Sequence, residues 1–187
     1  MSKSGSGGPV GGGGTVIVIA VGANLPAAGF DTPLATCEAA VRRLDQEPDV
    51  RVVARSRWYE SEPVPKSDQP WYVNGAVAVK TDLIPEVLLA RMHEIEDSFG
   101  RVRRVRNEAR PIDLDLIDYE GRVRIGAMAP TLPHPRAAER AFVLLPIRDL
   151  DPQWRHPVTG ETVETLIGAL SDLGESIRAI EEGASGS

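Results

Sequence analysis

A single cysteine, Cys37, stands among 187 residues. An intramolecular disulfide is therefore impossible, and a cysteine-built metal cluster is excluded. Aromatic side chains are scarce as well, with three Trp, three Tyr and three Phe. So few rings are thin for a module that stacks bases on its sheet. No run approaches the roughly 20 apolar residues that span a bilayer. Gly and Ser come before any apolar run at the N-terminus, so no signal-peptide pattern opens the chain. The expected placement is the cytoplasm, away from membrane. No G-x-x-x-x-G-K-[ST] segment occurs, which excludes a P-loop. An excess of positive charge is also missing: 21 Lys and Arg face 27 Asp and Glu, a net charge of −6. Nucleic acid and anionic membrane are not the default partners of such a chain.

What is present is ordinary for one soluble domain, with 42% apolar and 26% charged residues. The length suffices to bury a real core. Residues 1–14 hold seven of the 18 glycines and almost nothing apolar, so they read as a flexible Gly/Ser-rich tail. Residues 15–174 read as the folded domain. Residues 175–187 read as a C-terminal extension, expected to be disordered in part.

Between the tails the periodicity is legible. Thr15–Val21 is a continuous β-branched run, the mark of a strand covered on both faces. Residues 32–46 carry Leu34, Cys37, Ala40, Val41 and Leu44 on one helical stripe. Val50–Tyr59 reads as a second strand and Tyr72–Lys80 as a third, with an irregular loop around Pro63, Pro65 and Pro70 between them. A second helix begins near Pro85, carries Leu88, Met92, Ile95 and Phe99 at helical spacing, and ends at Gly100. A fourth strand spans 111–118, followed by a turn into a short strand at 122–125. Helices are expected at 136–145 and 163–173. The first six elements run β-α-β-β-α-β, which predicts an α+β fold of ferredoxin-like order. The expectation is an antiparallel sheet with packed helices and an appended C-terminal hairpin and helices. That order hosts many functions, so the sites must decide.

The fourth strand carries the most chemistry. In Ile112-Asp113-Leu114-Asp115-Leu116 the aliphatics take one face and both aspartates the other. Asp is depleted in strands, and two like charges on one face repel, so something should offset them. Hard divalent cations with oxygen ligands would do so, and two Mg²⁺ ions suit such a pair. A solvated acidic edge strand is the plain alternative. Immediately upstream, Arg101, Arg103, Arg104, Arg106 and Arg110 crowd one Gly-flanked segment of an otherwise acidic chain. Guanidinium forks match phosphate oxygens, which suggests a nucleoside triphosphate with Mg²⁺. A solubilising or RNA-facing basic loop is the rival reading.

His134 lies between two prolines and close in sequence to Arg136, Arg140 and Phe142. A lone histidine is commonly structural, but a stiffly held ring beside arginines suits a hydrogen bond to phosphate. His93 and His156 take the structural reading. Tyr72 and Asn74 share one face of the third strand. Tyr72 with Phe142 could hold a flat heterocycle between them, with Asn74 at its edge, although each alone reads as structural.

Together these segments resemble the 6-hydroxymethyl-7,8-dihydropterin pyrophosphokinase family. The resemblance rests on G-A-N-L at 22–25, D-Q-P-W-Y-V-N-G-A at 68–76 and G-R-V-R at 100–103. It continues in R-P-I-D-L-D-L at 110–116, L-P-H-P-R at 132–136 and R-A-F-V-L-L-P at 140–146. It implies transfer of pyrophosphate from ATP to a reduced hydroxymethylpterin in folate biosynthesis, by a monomer. Asp113 and Asp115 would bind two Mg²⁺ ions. Arg101, Arg110 and His134 would be catalytic. Glu96, Arg103, Leu116, Thr131, His134 and Arg140 would line the ATP site, and Ser61, Glu62, Val64, Tyr72, Asn74 and Phe142 the pterin site. The chain departs from the family at Asn107-Glu108-Ala109, where a Trp-Gly-Pro run is common, and at Ala129, where a basic residue is frequent. The rivals are a ferredoxin-like RNA-binding module and a silent nucleotide-binding regulator.

Overall fold

The computed structural model describes residues 16–63, 65–100, 111–170 and 177–181. The first apolar run forms β1, Ile17–Ala23, and the stripe that follows forms α1, Pro33–Asp45. Thr32 caps α1, its side chain accepting from the Ala35 N–H at 3.0 Å, with Pro33 in the first turn and Arg42 and Arg43 in the last. Both ends therefore follow the usual capping and dipole rules. The expected second strand is two strands, β2 (Val50–Arg55) and β3 (Tyr59–Ser61). They are parted where Ser56 leaves the ladder and its hydroxyl accepts the Ala76 N–H at 2.8 Å. β4 (Tyr72–Thr81) and α2 (Pro85–Ser98) follow, then β5 (Asp113–Tyr119). Past α2, Gly100 turns the chain at a φ of 81°, a conformation that favours glycine.

β4 and β5 lie either side of β1, all antiparallel, and β2 and β3 both pair with β4. This is the expected ferredoxin-like α+β arrangement. The short strand at 122–125 reduces to one bridge, Arg124 to Leu132. The first expected C-terminal helix becomes a 3-10 turn at Ala137–Glu139 and α3, Ala141–Leu150, and the second is α4, Val163–Ala169. A strand that the sequence pattern does not announce, β6 (Ile177–Ala179), pairs with β3 at the sheet edge.

Strand alternation divides the core into two. Ile17, Ile19 and Val21 of β1 join Val77 and Val79 of β4 and Leu114 and Leu116 of β5 beneath α1 and α2. Val18, Ala76, Ala78 and Ile117 face the other way, under Val143, Leu144 and Ile147 of α3 and Trp154. Each fully buried aliphatic side chain contributes about 1.5–3 kcal/mol. Register shifts between Val18 and Ile19 against β5, and between Val52 and Ala54 against β4, mark bulges. The first lets Ile117 and Asp118 both turn toward the α3 layer, which re-aims the end of β5.

Candidate active site

A cavity of 680 Å³ opens on the α3 side of the sheet. Its floor follows from strand register. Asp113 pairs with Gly22, and Gly22 with Asn74, so these three form a row across β5, β1 and β4. Asp115, Ala20 and Ala76 form the next row. The aspartates thus stand beside residues with little or no side chain, which leaves open volume over them. A Cβ added at Gly22 would come within 3.1 Å of the Asn74 Oδ1, so glycine also preserves that row's spacing.

Asp113, Asp115, Tyr72, Asn74, Phe142 and Arg140 all border this one cavity, as do Ser61 and Glu62. Eight residues singled out from sequence are thereby brought together. Asn74 is buried and donates from Nδ2 to the Ser61 Oγ at 2.8 Å. That bond fixes the amide's orientation and joins β4 to β3. The Arg140 guanidinium lies 5.5 Å from the Phe142 ring centroid, a cation–π contact at the start of α3. Glu62 pairs with Lys66 at 3.2 Å.

His134 stands next to this group without lining the cavity. Its backbone N–H donates to the Ile117 carbonyl at 2.8 Å, which anchors the loop to β5. Its Nδ1 accepts the Arg136 N–H at 3.2 Å, leaving Nε2 to carry the proton of the neutral ring. Burial lowers the imidazole pKa from 6.5, Arg140 adds to the effect, and Asp113 opposes it. The ring is therefore neutral at pH 7 and has a donor to offer. Thr131 is half-buried outside the cavity lining, between the cis peptides Ala129–Pro130 and Leu132–Pro133.

Two residues expected at the nucleotide site, Glu96 and Leu116, do not border this cavity. Glu96 is fully buried on α2, and its Oε1 accepts the Leu114 N–H at 2.7 Å, so the carboxylate ties α2 to β5. Leu116 points into the core beneath α1 and α2. Strand alternation sends it away from the cavity face, opposite to Asp115. Val64, Arg101, Arg103 and Arg110 lie outside the described residues.

Sequence reasoning missed several cavity residues. Gln69, Arg136 and Glu139 line it, as do Leu170 and Ile177 from beyond α3. Arg136 was visible within L-P-H-P-R. Ile177 stands in Ser-Ile-Arg-Ala-Ile, a stretch too short to show a strand period.

The donor chemistry suits Mg²⁺ in one particular way. Two carboxylates on one strand face offer hard oxygen ligands. Among the described residues no group of three or more His, Cys, Asp or Glu could hold a metal alone. An ion bound there would complete its shell with water and ligand phosphate oxygens, the usual habit of Mg²⁺ at nucleotide sites.

Fold and cleft together define an α+β enzyme domain of ferredoxin-like order, its ligand chemistry set on the sheet face below α3. The family model of 7,8-dihydro-6-hydroxymethylpterin-pyrophosphokinase matches residues 18–152. The chain belongs to that family. A 2-amino-4-hydroxy-6-hydroxymethyldihydropteridine pyrophosphokinase of Methylorubrum extorquens is 41% identical over 135 residues, covering 72% of this chain and 84% of that protein. A Pseudomonas aeruginosa protein of the same name is 37% identical over 153 residues, covering 82% and 90%. Among solved structures, wild-type Plasmodium falciparum HPPK-DHPS aligns over 83% of this chain with a TM-score of 0.60 at 13% identity, which shows the shared fold. The chain spans 44% of that longer polypeptide.

Proposed function

We propose that this protein transfers pyrophosphate from ATP to 6-hydroxymethyl-7,8-dihydropterin, giving AMP and the pterin diphosphate, a step of folate biosynthesis. Family membership supports the reaction class. The supporting observation within the fold is that Asp113 and Asp115 share one cavity with Tyr72, Asn74 and Phe142. An acidic pair for a metal–triphosphate and a ring-and-amide pocket for a flat heterocycle are thus contiguous.

In this reading Tyr72 and Phe142 flank the pterin ring, and Asn74 and Ser61 bond its edge, with Glu62 and Val64 beside it. The hydroxymethyl oxygen attacks the β-phosphorus and forms the new O–P bond. The bond from that phosphorus to the α,β-bridging oxygen breaks, AMP leaves, and the hydroxyl proton passes to solvent. Asp113 and Asp115 would hold two Mg²⁺ ions, which when bound neutralise charge on the phosphate oxygens. Arg101 and Arg110 engage the phosphates, Arg103, Thr131 and Arg140 line the nucleotide side, and neutral His134 donates from Nε2 to a phosphate oxygen. Positioning the alcohol and holding the developing charge supply the acceleration, with no general base required. The same reading has the enzyme working as a cytoplasmic monomer.

One incubation tests it: ATP, Mg²⁺ and the hydroxymethylpterin, with AMP resolved from ADP. AMP formed in step with pterin diphosphate is expected. ADP would mean γ-phosphoryl transfer, and neither product would leave a nucleotide-binding protein without this activity.

A further inference from the structure

The matched family region ends at residue 152, yet the cavity wall does not. β6 lies 25 residues beyond that limit (177 minus 152) and adds to the outer edge of β3. Ser61 pairs with Tyr72 on one side and with Ile177 on the other. Tyr72, Ser61 and Ile177 therefore form a single row across three strands, and all three border the cavity. Directly opposed residues in antiparallel strands share a face, so Ile177 continues the surface that Tyr72 and Ser61 begin.

The rest of β6 is fastened from outside the cavity. Arg178 pairs with Glu60 at 2.7 Å, and its guanidinium lies 5.0 Å from the Trp71 ring centroid. The Ile180 N–H donates to the Trp58 carbonyl at 2.8 Å, and its side chain packs against the α1 and α2 core. A three-residue strand at a sheet edge has little stability of its own. These contacts hold it in register, and with it the one aliphatic side chain it presents to the cavity.

We propose that Ile177 is a ligand-contacting residue of the heterocycle pocket, and that β6 sets the pocket's size at the Tyr72–Ser61 end. This rests on the pterin reading above. Ile177 supplies an apolar wall beside the aromatic and hydroxyl groups of its row. It lies at the opposite side of the sheet from β5, so it acts on the heterocycle and not on the triphosphate. Arg178 is a positioning residue that acts through β6.

The test uses full-length protein. Steady-state AMP formation gives KM for pterin and for ATP separately, and calorimetry gives pterin binding without turnover. Ile177→Ala removes aliphatic surface that a bound heterocycle would cover and is expected to raise the pterin KM about five- to tenfold, leaving kcat and the ATP KM unchanged. Ile177→Leu should restore most of the affinity. Arg178→Ala, which leaves every cavity side chain in place, should raise the pterin KM in the same direction by about two- to fivefold, through looser docking of β6. A pterin KM unaltered in both alanine variants, with active wild-type protein, would overturn the inference. So would equal losses in pterin and ATP parameters. Wild-type protein that makes no AMP would instead sink the reading on which it rests.

Discussion

The two ends of β5 carry the same side chain in opposite circumstances. Asp is depleted in strands, yet three of the seven residues of Asp113–Tyr119 are Asp, so each calls for a local cause. At the far end Asp118 is 4% exposed. Its Oδ2 accepts the Trp154 indole N–H and its Oδ1 the Gly121 N–H, both at 2.8 Å. At the near end Asp113 and Asp115 are half-buried and border a cavity. Trp154, from the segment after α3, closes one end, and small residues of β1 keep the other open. A carboxylate sealed between Trp154 and Gly121 serves the fold, and one bordering the cavity faces the volume a ligand would fill. Sequence spacing alone does not separate the two.

Substitution at each end should break the comparison differently. The largest effect is expected at the open end. Asp113→Ala or Asp115→Ala should lower AMP formation by about 10²–10³-fold, with the urea midpoint unchanged. Undiminished turnover in both variants would remove the metal assignment. Asp118→Ala should do the reverse. It leaves the Trp154 and Gly121 N–H groups without their acceptor and should cost about 2–3 kcal/mol in urea unfolding, while kcat of the folded fraction holds. Glu96→Ala sharpens the contrast on the helical side. Loss of its bond to the Leu114 N–H should cost about 1–2 kcal/mol and leave the ATP KM unchanged. A raised ATP KM there would instead support a nucleotide-site role for Glu96.

The smallest effect is a pH slope. Burial raises the Asp118 pKa above its ordinary 3.8, against the lowering pull of its hydrogen bonds. The folded state therefore holds this proton at pH values where the unfolded chain has released it. Stability must fall as pH rises from the ordinary Asp value through the raised one. Asp118→Asn lacks that ionisation, so its urea midpoint should show a shallower decline across the same window. Identical slopes would mean that Asp118 ionises normally.

Much of this was legible in sequence, because period-two and period-3.6 patterns report burial directly. The β-branched run of β1, the stripe of α1 and the alternation in β5 all predict what forms. The charge of Glu96 points to a ligand, and its place on α2 points to the fold. Its position, four residues after buried Met92 and one after buried Ile95, places it on the inward stripe. The break between β2 and β3 had no Gly or Pro to announce it. It depends on the Ser56 hydroxyl taking a ladder position and on Arg57 turning out to pair with Asp149 at 2.9 Å. β6 could not be read at all, since three residues of ordinary composition become a strand only when an edge such as β3 is offered to them.

The three tryptophans are spread so that each watches a separate part of the molecule. Trp71 lies under the Arg178 guanidinium, Trp58 covers Gly75 on the α1–α2 side of β4, and Trp154 is sealed against Asp118. A Cβ at Gly75 would fall 2.6 Å from the Trp58 ring, so that indole is pressed directly on the backbone behind the cavity floor. Native fluorescence thus comes with three addresses. Single-Trp variants would report motion of β6, strain beneath the floor and loosening of the closed end as distinct signals, with no dye attached.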